Sequence, residues 1–143
     1  MKTIYFFLGL SLLTSCSVLP NSELNEERTQ NTIERLGRSS AILLLKNQEH
    51  PELAATLLGN NIRCNVLSWF TPNTQINSEI FEGIMDRFKI VNKYYSIILS
   101  DILDELFRYI AIPTGDNLLS NRDKLRLNSF FCGVIDGCTI FTQ

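Results

Sequence analysis

Four cysteines and a single histidine offer the most chemistry in this 143-residue chain. Cys16 lies three residues past the end of an apolar run. Cys64, Cys132 and Cys138 allow one internal bridge and leave one thiol over. Cys132 and Cys138 are six residues apart, about 9 Å along an unbroken helix, beyond the roughly 7 Å between α-carbons that a disulfide spans. They pair only if Gly133 or Gly137 breaks the helix. A bond from Cys64 to either of them closes a loop of about 70 residues, worth about 4 kcal/mol on chain-entropy grounds. That is the favoured pairing; three small buried thiols are the plain alternative.

Other constellations are incomplete. The spacing Cys132-x5-Cys138 is wider than the usual zinc clamp, and His50 is far from both, so no metal site is expected. A Ser or Cys nucleophile needs a base within hydrogen-bond reach, but His50 directly precedes Pro51 and reads as an exposed residue at a helix start. Asp101, Asp104 and Glu105 offer carboxylates for acid/base work, yet Asp104 and Arg108 have the four-residue spacing of a solvated ion pair. Gly133-x3-Gly137 lacks the Lys-Ser/Thr and the preceding strand of a phosphate loop and suits close packing instead. The expectation is a non-enzyme without a cofactor. Trp69 and Phe70, beside the turn Thr71-Pro72-Asn73, and Tyr94, at the edge of an apolar stripe, are candidate partner contacts; a core anchor is the alternative for the first two.

The N-terminus carries an address. Lys2 precedes the ten-residue apolar run Ile4 to Leu13, which fits a secretory h-region and is too short to cross a bilayer, since crossing needs about 20 apolar residues. The next residues, Leu13-Thr14-Ser15-Cys16, resemble the lipobox of bacterial lipoproteins at all four positions. The resemblance covers only the first 16 residues. It implies that residues 1–15 are a signal peptide, that the Cys16 thiol carries an acyl-bearing lipid, and that the mature chain begins at Cys16. Several acyl chains make a durable anchor, each buried methylene contributing about 0.8 kcal/mol. Ser17 stands where Asp often signals inner-membrane retention, so the resemblance implies the outer membrane, with the body facing the periplasm.

Composition agrees with a folded body of one domain. With 45% hydrophobic residues and nine Phe, the chain is too apolar for disorder. Its net charge is −2, or −3 without residues 1–15, which hold only Lys2 among charged residues. No basic field attracts nucleic acid, and membrane contact falls to the acyl group.

The elements that must position these residues are helices. Residues 16–27 comprise the anchor and a polar tether, Ser17 to Glu27, leaving 28–143 as a helical domain; the first helix is read from about Ser22 or Asn25 to Asn47, so the two readings overlap. Ile33, Leu36, Ser40 and Leu43 or Leu44 mark its buried stripe. A second segment starts at His50-Pro51-Glu52, with Gly59-Asn60-Asn61 as a possible break. Phe81, Ile84, Phe88, Val91, Tyr95, Ile98 and Ile102 recur at alternating three- and four-residue steps and predict one long amphipathic helix over about 78–112, near 50 Å in length. Asn77 or Ser78 caps it, and Pro113-Thr114-Gly115-Asp116 ends it. The last segment starts at Ser120 with Asp123 in a capping-box variant, and Cys138 to Gln143 reads as an extended tail.

These readings predict an all-α bundle of about four helices, lipid-anchored in the envelope, that acts by binding another, unidentified envelope protein as an accessory or assembly factor. Small helical pilotin lipoproteins of secretion systems are similar in plan. One rival is a periplasmic immunity or exclusion protein that occupies a toxin or transfer apparatus. Another is a binder of a small apolar ligand between the helices.

Overall fold

A computed structural model describes the backbone of residues 21–91 and 96–143. Residues 1–15, expected as a signal peptide, and Cys16, Ser17 to Pro20 and Tyr94 lie outside the described residues. Among the described residues there are five α-helices, α1 (Asn21–Leu45), α2 (Pro51–Asn65), α3 (Ser78–Val91), α4 (Ser96–Leu106) and α5 (Asn121–Thr142), with a 3-10 turn at Leu67–Trp69 and no strand. The all-α bundle expected from periodicity is the fold.

The helix expected over 78–112 is corrected to two antiparallel helices. The rings of Phe81, at the start of α3, and Phe107, just past the end of α4, have centroids 6.1 Å apart. Along one straight helix they would be about 39 Å apart. The physical reason lies in coverage: a 50 Å apolar stripe outruns a domain of this size, and the remaining chain could not bury it. The longest described helix is α1, 25 residues. It starts at Asn21, so residues 21–27 of the expected tether are helical.

Neighbour relations fix the topology. Glu26 meets Arg126, Glu34 meets Gly133 and Arg38 meets Asp136, so α1 and α5 run parallel. α2 runs against α5: Gly59 lies at Cys138, Phe70 at Phe131, and Thr74 at Lys124. α3 runs with α5, from the Ile76–Leu119 backbone bond to Phe88 at Phe131. The order is up, down, up, down, up.

The α1–α5 crossing is made backbone to backbone. A Cβ on Gly37 would sit 2.0 Å from the Phe130 carbonyl oxygen, and one on Gly133 would sit 2.0 Å from that of Glu34. Gly133 and Gly137 do not break α5, which continues through the expected extended tail to Thr142. Around this seam Ile33, Leu44, Leu127 and Val134 are buried. Phe70, Phe88, Phe130 and Phe131 form an aromatic cluster, with Phe70 stacked on Phe131 at 5.7 Å and Phe88 edge-on to it at 5.1 Å.

Local signals explain the helix starts. Asn77 caps α3 by accepting from Ile80 N at 2.9 Å, and Ser120 Oγ accepts from Asp123 N at 3.1 Å. Pro51 and Glu52 open α2, which passes Gly59-Asn60-Asn61 without a break. Gly115 takes a positive φ of 59° in the turn within the connection between α4 and α5.

Candidate functional site

The three thiols face three directions and are free. Cys138 is buried against α2 at Gly59, and Cys64, five residues on from Gly59, is turned about 140° away and exposed. Cys132 is about 120° from Cys138 around α5, exposed, with Sγ 3.4 Å from Asn128 Oδ1. The expected bridge from Cys64 to the C-terminal segment is therefore not formed. The unbroken α5 also keeps Cys132 from Cys138. Burial pushes the Cys138 thiol up to about 11, against a small opposing effect of the Arg63 charge. Burial, then the Glu34 charge, raises Cys132.

The aromatic pair divides. Phe70 is 2% exposed inside the aromatic cluster, which corrects its reading as a partner contact: it is a core anchor. Trp69 is half-buried and forms one wall of a groove of about 420 Å³ over α3, with Asn77, Ile80 and Gly83 beneath it.

His50 stands at the N-terminus of α2, exposed and making no cap hydrogen bond. Arg108 lies past the end of α4 and pairs with Glu105 at 3.2 Å rather than with Asp104. No group of three or more His, Cys, Asp or Glu among the described residues is placed to hold a metal ion. Among the same residues no helix is long and apolar enough to cross a membrane.

Two polar clusters were not foreseen. Arg126 grips Glu26 with two hydrogen bonds, Nε to Oε1 at 3.0 Å and Nη2 to Oε2 at 2.6 Å, and its Nη1 donates to the Tyr109 carbonyl. This joins the second turn of α1, the segment after α4 and the start of α5. The Arg126 hydrogen bond holds the Glu26 carboxyl below its ordinary range, partly opposed by desolvation. Lys124, 3% exposed, donates to the carbonyls of Pro72 and Thr74 at 3.2 and 2.6 Å, fixing the loop beneath Trp69. Its sequence signal was its place three residues before Leu127, on the apolar side of α5.

Exposed large apolar side chains gather at the two ends of the bundle. Leu53 and Leu57, one turn apart on α2, are 59% and 57% exposed, and Leu43 on α1 and Ile140 on α5 are 41% and 47% exposed. These four share the end where α1 and α5 finish and α2 begins, opposite Asn21. Ile112, Leu118 and Leu125 are exposed at the other end.

Comparison with protein families, with curated proteins and with solved structures finds no match.

Proposed function

We propose that the chain is a lipid-anchored protein of the bacterial outer membrane, periplasm-facing, that works without catalysis by binding another envelope protein as an accessory or assembly factor. The observation that carries this reading is the leucine end: two leucines more than half exposed on one helix face, with Leu43 and Ile140 at the ends of neighbouring helices. Exposed apolar groups gathered in one region mark interaction surfaces. Cys16, five residues before Asn21 in the sequence, supplies the anchor in this reading. Tethering raises the effective concentration of the leucine end near a membrane-associated partner.

The buried stripe of α3 favours protein binding over an apolar-ligand pocket. Phe81, Ile84, Met85 and Phe88 are each no more than 3% exposed, and the cleft that Phe81 and Met85 line with Phe107 and Ile112, about 180 Å³, is smaller than the roughly 300 Å³ at which ligand pockets begin. The test is crosslinking in intact cells, followed by recovery from solubilised envelopes, for the natural chain and for Leu53→Asp/Leu57→Asp. A specific protein recovered with the natural chain and lost with the variant is expected. Recovery of no specific protein, or equal recovery with both, overturns the reading.

A further inference from the structure

Gly37 and Gly133 have neighbouring backbone where a Cβ would be, but Gly83 has nothing within 4 Å of that position. It lies mid-way along α3, exposed, where glycine weakens a helix relative to alanine. The fold draws no packing from it. Gly83 is the floor of the Trp69 groove, and Glu79 and Arg87, four residues before and four after, line the same groove. Both are exposed, and among the described residues neither has an ion-pair or hydrogen-bond partner. Eight residues apart, they lie about 12 Å from each other along the helix, outside the spacing at which helix side chains pair.

We infer that this face is a two-fold interface between two copies of the chain, with α3 packed antiparallel on its counterpart and Gly83 at the crossing. The pattern of a negative charge, a glycine and a positive charge at equal steps is self-complementary. A two-fold axis through Gly83 sets Glu79 against Arg87 of the partner subunit, and Arg87 against Glu79 of the partner subunit. A parallel pairing would instead oppose like charges. Glycine lets the two backbones approach, as Gly37 and Gly133 do inside the bundle. Trp69 and Ile80, both half-buried, supply the apolar part of the contact. One 14-residue helix per copy makes a small interface, with an affinity on the order of micromolar. Because the helices are antiparallel, two copies anchored at Cys16 share one bilayer only with their helices lying along it. The pairing itself does not depend on the anchor.

Sedimentation velocity of the full chain in mild detergent, across the micromolar range, tests this. The natural chain is expected to dimerise reversibly, and Glu79→Arg and Arg87→Glu each to weaken the dimer about tenfold. Mixing those two variants, or combining both substitutions in one chain, restores it. Gly83→Leu abolishes the dimer while helix content and melting temperature are kept or raised, which separates loss of contact from loss of fold. A monomer at every concentration overturns the inference. So does a dimer indifferent to the charge reversals or to Gly83→Leu, or a double variant that fails to restore pairing.

Discussion

At the scale of single residues, side chains that looked alike in the sequence have different fates. Trp69 and Phe70 are adjacent, yet only Phe70 enters the aromatic cluster. Phe70→Ala is therefore expected to lower stability by about 3–5 kcal/mol in urea unfolding, the usual cost of removing a buried ring, and to leave partner recovery unchanged in the fraction that stays folded. The thiols differ similarly. Alkylation of the native protein near pH 7.5 should label exposed Cys64 and Cys132 and spare Cys138, which is buried and has its thiol raised to about 11; mass mapping of labelled peptides checks this, and the protection disappears on unfolding. Glu26 ties stability to pH. Its folded-state carboxyl is depressed by Arg126, so the stabilisation is fully present above the unfolded value, about 4.3. It is lost as pH falls through the lower folded value. Glu26→Gln should cost about 1–2 kcal/mol at neutral pH, as befits a partly exposed two-bond pair. It should also flatten the acid limb of a melting-temperature profile.

At the scale of helices, glycine has opposite effects at two positions. Gly133→Ala drives a Cβ into the Glu34 carbonyl, and rigid backbone cannot step aside, so the two helices must separate. The expected loss is about 3 kcal/mol or more. Gly83→Ala meets open space and should gain about 0.5–1 kcal/mol from helix propensity; one urea-unfolding series measures both. The close-packing role of Gly133-x3-Gly137 was readable because no other chemistry fitted the spacing. The helix starts at Pro51, Asn77 and Ser120 were readable because capping is local. The α3–α4 reversal was not, since 14 residues from Phe88 to Ile102 is nearly a whole number of helical turns. A hairpin burying one stripe on each arm has the same period as a single straight helix. The Glu26–Arg126 and Lys124–Thr74 contacts join residues 100 and 50 positions apart, and no local pattern encodes such a meeting.

At the scale of the whole molecule, five alternating helices place Asn21 at one end of the bundle and Leu53 and Leu57 at the other. The parallel α1–α5 seam links the two ends, and the Arg126 clamp holds the first turns of α1 to the body. With α1 helical from Asn21, only residues 17–20 separate the body from Cys16, a reach of about 14 Å at full extension. Under the proposed lipidation of Cys16, so short a tether would hold the body beside the membrane, so the proposed function depends on the acyl group. The direct measurement is the mass of the N-terminal peptide from the protein purified out of membranes. The expected result is a peptide beginning at Cys16, heavier by a thioether-linked diacylglyceryl group, and absent from Cys16→Ala, which also leaves the outer-membrane fraction. An unmodified Cys16, in a chain recovered from the aqueous fraction, would contradict the account.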